Sequence, residues 1–318
     1  KLSTSYGIVG RADFGVNLYK YYMGSGNSYY FKDTPASQSG MTEKQIAVDG
    51  LTYEKSHKLN VGMDFMAWKK LSLTIDGYYD HRTDILVDGG NAISSVFGMT
   101  VPKRNDGVVN NYGVELMAGW NDRIGDLQYG VNVNFSDFLS KIDYMNDGEQ
   151  ISNGKIKRAG VLFNEYYGYV CDGIYQTQEE VNNSARTSTT VTVGDLKYRD
   201  ISGPDGVPDG IISPEYDRVP LGNSLPRFQY GGTFNASYKG IDFSIAFQGI
   251  GKQNSYLSTA MVQPLRDNYG SVPSIIEGKY WSPFNTAEEN LSARYPRLSN
   301  VSKSNNYATS SFLIPFIF

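Results

Sequence analysis

From Leu59 onward, apolar residues occupy alternate positions, Leu59, Val61, Met63, Phe65 and Ala67, with Asn60, Gly62 and Asp64 between them. After Lys69-Lys70 the alternation resumes as Leu71, Leu73, Ile75 and Tyr79 against Ser72, Thr74, Asp76 and Asp80. A period of two marks a strand with one apolar face, and two such runs joined by a few residues predict a hairpin. The pattern recurs where Val114, Leu116, Ala118 and Trp120 lead through residues 121–126 to Leu127, Tyr129, Val131, Val133 and Phe135, opposite Gln128, Gly130, Asn132, Asn134 and Ser136. It recurs again around Lys239-Gly240. There Phe228, Tyr230, Phe234, Ala236 and Tyr238 run into the turn and Ile241, Phe243, Ile245 and Phe247 run out, opposite Gln229, Thr233, Asn235, Ser237, Asp242, Ser244 and Gln248. With a strand over residues 1–10 this predicts seven strands, and one or two more are expected after residue 250.

The turns within the hairpins are short, whereas the connections between them, about 80–112, 137–227 and 250 onward, are long. Outer-membrane barrels have this asymmetry: tilted strands of roughly 9 to 11 residues cross the hydrocarbon, with short turns on the periplasmic side and long loops outside. Alternation alone does not distinguish a face that meets lipid from one that meets a packed core, so a water-soluble barrel or sandwich competes. Two features favour the membrane. The face opposite the apolar one is rich in Asn, Gln, Ser, Thr and Gly, as a wet lumen requires, and Trp68, Trp120, Tyr78, Tyr79 and Tyr238 stand near strand ends, where interfacial aromatics gather. The predicted class is all-β, an antiparallel up-and-down transmembrane β-barrel segment. Seven strands leave two open edges, which hydrocarbon does not tolerate, so a larger closed barrel is expected.

Composition narrows the alternatives. The chain has 318 residues, 14% of them aromatic with 25 Tyr, and 34 Gly; no apolar run reaches 18 residues, so helical membrane spans are excluded. A net charge of -4 provides no basic patch and argues against nucleic acid. The single cysteine, Cys171, rules out an intrachain disulfide and reads as a small apolar packing residue; His57 and His81 are too few for a histidine-rich zinc site. The chain opens on strand-like KLSTSYG without a signal peptide, so any targeting segment is expected upstream.

Five blocks carry a family resemblance. KLSTSYGIVGR looks like a recurring opening strand, although Arg11 stands where an asparagine is usual. The second block contains Glu54, Asn60, Gly62, Asp64, Tyr78-Tyr79 and Thr83-Asp84, and the third contains Asn105, Gly107, Asn110, Gly113 and Glu115. GIYQTQEEV over 173–181 and GDLKYRDISG over 194–203 complete the set. In order and spacing, these blocks resemble the SusC-like (RagA-like) TonB-dependent outer-membrane transporters of Bacteroidetes, in the C-terminal half of their barrel. The resemblance implies a plugged 22-stranded barrel that imports oligosaccharides or peptides, driven by a TonB complex and capped by a SusD-like surface lipoprotein. It also implies that residues 1–318 are part of such a barrel, without plug or TonB box, and that YATSSFLIPFIF stops before the family's final strands.

Two local features are candidates for chemistry. The run from Asp200 to Asp217 places Asp209 and Gly210 ahead of Ile212, the core of a calcium loop, and Asp200, Ser202, Asp205 and Asp217 add oxygen ligands for a hard cation. Residues 203–208 break the standard spacing, and a Gly/Pro/Asp turn cluster needing no ion is the alternative. Tyr166, Tyr167, Tyr169 and Trp281 in the long loops are candidates for stacking on a substrate, against the plainer reading that they pack the loops together. They would also serve the competing fold, a soluble secreted carbohydrate-binding β-sandwich. No phosphate loop, nucleophile elbow or metal-ligand helix accompanies the 33 acidic residues, so an enzyme is not expected.

Overall fold

The computed structural model describes residues 1–12, 18–30, 37–45, 47–48, 50–88, 102–146, 148–187, 190–257, 265, 271–299 and 310–316. Its wall is one seven-stranded antiparallel sheet. The strands are β1 (Leu2–Arg11), β4 (Glu54–Ala67), β5 (Leu71–Val87), β6 (Arg104–Ile124), β7 (Leu127–Met145), β14 (Phe228–Tyr238) and β15 (Ile241–Gly251), adjacent in that order. All seven predicted strands are present and neighbouring.

The register carries the alternation across the whole sheet. Met63 pairs with Leu2 and Ile75, Ile75 with Leu116, and Leu116 with Phe135; Phe234 lies between Val131 and Ile245. One face is therefore continuously apolar, and its side chains, among them Met63, Phe65, Val114, Phe243 and Ile245, are exposed. A sandwich would bury this face under a second sheet, so an unpacked apolar face is the physical reason for setting the soluble alternative aside. Tyr112 and Trp120 on β6, like Tyr230 and Tyr238 on β14, stand eight residues apart on it. At about 3.3 Å per residue and a tilt of about 40°, each pair spans roughly 20 Å of an apolar band about 25 Å tall.

The long connections are shorter than expected. β5 and β6 stay paired as far as Val87 and Arg104, and β6 and β7 as far as Gly107 and Met145, so much of 80–112 and the start of 137–227 are strand. Past the apolar band neither face must be hydrophobic, and backbone pairing continues through polar residues without the alternation that would reveal it. A further hairpin, β2 (Tyr22–Tyr30) with β3 (Ser37–Gln45), precedes β4 where no strand was expected.

Between β7 and β14 the chain builds a cap of short elements. β8 (Gln150–Ser152), β9 (Lys155–Lys157), β10 (Glu165–Tyr169) and β13 (Arg218–Asn223) form a four-stranded sheet in the order β13-β10-β9-β8. β11 (Cys171–Ile174) pairs with β12 (Leu196–Tyr198), and helix α1 (Gln178–Asn183) lies between them in sequence. After β15, β16 (Gln253–Tyr256) pairs with β17 (Leu313–Phe316), and a second helix, α2 (Ala287–Ser292), precedes β17. The buried hydrophobic clusters of the described residues lie chiefly here. One joins Tyr169, Leu196, Tyr198, Ile212 and Phe312, with Cys171 packed against it as expected. Another joins Ile142, Ile156, Val161 and Tyr167, and a third Tyr175, Val181 and Val191.

Candidate functional site: a cleft between wall and cap

On the polar face, at the end opposite the short turns, a cleft of about 840 Å³ lies between β4–β7 and the tip of the cap. Register places its floor. Lys58 pairs with Asp80, Asp80 with Asn111 and Asn111 with Ser140, while one row away Asn60 pairs with Tyr78, Tyr78 with Gly113 and Gly113 with Phe138. Gly113 lets Tyr78 lie along the wall, since a Cβ there would come 2.5 Å from the Tyr78 hydroxyl. Phe163 and Leu225 of the cap close the other side.

These groups are held rather than loose. The Ser56 hydroxyl donates to Asp80 Oδ1, and Arg82 Nη2 lies 3.4 Å from Asp80 Oδ2, so the carboxylate is fixed between a hydroxyl and a guanidinium. The Phe163 amide donates to the Ser140 carbonyl at 2.8 Å, and Asn223 Nδ2 to the Phe163 carbonyl at 2.9 Å, which ties the cap tip both to the rim of β7 and to β13. Glu54, Lys58 and Arg82 place charges of both signs within reach of the aromatic rings of Tyr78 and Phe138. Such a surface has the mix of charged, polar and aromatic groups that suits ligands rich in amides or hydroxyls.

The four loop aromatics separate. Tyr167 and Tyr169 are buried in two different cap clusters. Trp281 donates Nε1–H to Gln176 Oε1 at 3.2 Å and its ring lies against Gly194, whose φ of 85° and lack of Cβ allow the contact. Tyr166 is half-buried, with the Lys155 ammonium 5.3 Å from its ring centre. The structure does not bring these four to one surface, and none lines the cleft.

The acidic run is closed by backbone amides. Asp217, fully buried, accepts from Ile201 and Ser202 amides on Oδ1 at 2.8 and 3.3 Å and from Ser213 on Oδ2 at 2.7 Å. Asp200 accepts from the Gly210 amide at 2.7 Å and Asp209 from that of Ile211 at 2.9 Å, while Asp205 is exposed. Among the described residues no three His, Cys, Asp or Glu side chains form a group able to hold a metal. Nearby, the Arg199 guanidinium forks onto Asp172, and Arg297 reaches buried Asp195 at 2.9 Å. Burial drives the Tyr198 hydroxyl well above its ordinary pKa, so it stays neutral inside the cap core.

Asp80 stands in the polar phase of the alternation, whereas Lys58, Arg82, Phe138 and Phe163 were not singled out in the sequence: Lys58 precedes the first alternating residue, and the other three lie in segments that read as loop.

No protein-family model matches the chain. It is 28% identical over 223 residues to the TonB-dependent receptor P26 of Formosa agariphila, a match covering 67% of this chain and 22% of that protein. Two solved structures share its fold along nearly its full length. One is the RagAB peptide importer in the open-open state, with a TM-score of 0.69 and 18% identity, covering 99% of this chain and 32% of that one. The other is the same importer in the closed-closed state, at 0.66 and 19%. The chain is thus similar in sequence to a TonB-dependent receptor and in fold to the RagA-type barrel. It spans about a fifth of that receptor's length and a third of the importer chain it matches. In that fold its sheet is a segment of barrel wall, the apolar face is the lipid face, and the polar face with the cleft is the lumen face.

Proposed function

We propose that this chain supplies barrel wall and extracellular cap to a transporter that imports peptides across the outer membrane, energised by a TonB complex and closed by a SusD-like surface lipoprotein. The observation that carries the reading is the lumen-side cleft, where fixed charges of both signs and two aromatic rings face the space a cargo must cross. Oligosaccharides also stack on such rings, but sugars gain little from opposed charges, whereas a zwitterionic peptide pairs with both. The RagAB importer, whose fold the chain shares, carries peptides, which agrees. The wall cannot couple energy by itself; coupling requires a plug and a segment for TonB to grip.

Uptake of labelled oligopeptides by cells carrying the full transporter tests the proposal. Lys58→Ala and Tyr78→Ala are expected to reduce peptide uptake about tenfold, the loss of one good polar or stacking contact, roughly 1.4 kcal/mol, with barrel assembly and lipoprotein retention unchanged. Unimpaired peptide uptake, or a loss confined to oligosaccharides, would overturn the peptide reading.

A further inference from the structure

Above its last pair with β14, Asp137 with Phe228, β7 changes partner. The Phe138 amide still donates to the Arg227 carbonyl at 3.0 Å, but beyond it the rim of β7 bonds to the cap: the Phe163 amide donates to the Ser140 carbonyl at 2.8 Å and the Ile142 amide to the Val161 carbonyl at 2.9 Å. Where β14 and the cap tip part, they leave a second cleft of about 610 Å³. Phe163 and Leu225 line both this cleft and the lumen-side one, and so stand between them.

The rest of its lining belongs to the lipid face. Leu139 stands in the outward row of Leu59, Tyr79 and Tyr112. Phe228 is the next outward residue beyond Tyr230 on β14, and its ring centre lies 5.7 Å from that of lipid-facing Phe135. Two cations gather over this ring, the Arg227 guanidinium 5.8 Å and the Lys252 ammonium 5.3 Å from its centre. Arg227 is held by Asp137, with Nη2 2.8 Å from Oδ2, whereas Lys252 is exposed and forms no ion pair among the described residues. The Lys252 backbone has a φ of 51°, in the left-handed region where Asn or Gly is usual, so a lysine there points to a use for its charge. Glu165 also lines the cleft, but its carboxylate accepts the Leu162 amide at 3.3 Å and burial raises its pKa, which weakens the opposing charge.

An apolar cleft continuous with the lipid face, with cations at its outer rim, complements a lipid that carries negative charge close to its acyl chains. We propose that this cleft holds an outer-leaflet lipid with an anionic phosphate headgroup, its chains on Leu139 and Phe228 and its phosphate against Lys252 and Arg227. The lipid seals the seam where β7 exchanges β14 for the cap.

The test titrates the full transporter in detergent with phosphatidic acid, whose phosphate monoester stands for the headgroup, and with zwitterionic phosphatidylcholine, counting bound lipid by native mass spectrometry. Phosphatidic acid is expected to bind about tenfold more tightly, the worth of one charge-assisted contact. Lys252→Gln is expected to abolish that preference and Lys252→Arg to keep it. Lys239→Gln is the control, because Lys239 lies at the same 5.3 Å from an aromatic ring, that of Tyr238, but at the opposite rim; it is expected to change nothing. Inorganic phosphate is expected not to displace the lipid, since it gains nothing from the apolar lining. Equal affinity for the two lipids, a preference that survives Lys252→Gln or falls as far in Lys239→Gln, or displacement by inorganic phosphate would overturn the proposal.

Discussion

The wall and the cap use the same residue types in opposite ways. On β15, Ile241, Phe243 and Phe247 are 73, 56 and 56% exposed, whereas in the cap Ile156, Tyr175 and Val181 are 0, 1 and 0% exposed. Both regions must remove apolar surface from water, but the wall does so against lipid and the cap against itself. The wall therefore needs only alternation and register. The cap needs shape, with residues far apart in sequence, such as Tyr169 and Phe312, meeting in one cluster. The cleft lies where these two solutions touch, with a floor set by strand register and a roof set by loop packing.

Truncating a cap aromatic sharpens the contrast most. Tyr169→Ala, within the cluster of Leu196, Tyr198 and Ile212, is expected to cost about 3–5 kcal/mol of cap stability. Limited proteolysis should then open the 165–223 region while the barrel remains heat-modifiable; loss of both together would mean that the two regions fold as one unit. In the wall, Val131→Arg on the lipid face should cost about 2–4 kcal/mol, read by unfolding in bilayers, while Asn132→Arg on the lumen face is mild. Equal penalties would contradict the assignment of faces.

Asp217→Ala removes a buried carboxylate that receives three amide hydrogen bonds and should cost about 1.5–3 kcal/mol, visible as faster amide exchange at Ile201, Ser202 and Ser213. No change in exchange would show that these amides find other partners.

The smallest expected effect is a pH dependence confined to the cap. Burial pushes Glu180 upward, but the Lys197 ammonium 2.8 Å away and the Gln176 amide outweigh it and hold the carboxyl below the ordinary range. A depressed folded-state pKa contributes stability that is present above the unfolded value of about 4.3 and is lost as pH falls through the folded value. Acidification below about pH 4.3 should therefore loosen α1 against β12, as measured by hydrogen exchange, and Glu180→Gln should remove the dependence. A wall that loosened first on acidification would reverse the comparison.

How much could be read in advance follows the same division. All seven wall strands, their antiparallel neighbours and the lipid-facing residues from Leu59 to Phe247 were legible, because a pleat sends successive side chains to opposite faces and a barrel gives each face a different solvent. The upper halves of β5, β6 and β7 were not, because above the bilayer both faces are wet and alternation stops reporting the strand. The candidate aromatics Tyr167 and Tyr169 read as residues of a long loop, but they lie on the five-residue strand β10, which is too short for its alternation to reveal that both are buried.

The sequence by itself determined the wall, its two faces and, through its motifs, the resemblance to a transporter family, since these depend on local periodicity and on residue order. Tertiary structure alone decided that Asp217 turns inward to three amides, that Lys58, Tyr78 and Phe163 share one cleft, and that His57 meets His81 across two strands. Each of those juxtapositions depends on register and long-range closure, which position side chains remote in the chain and leave no periodic trace along it.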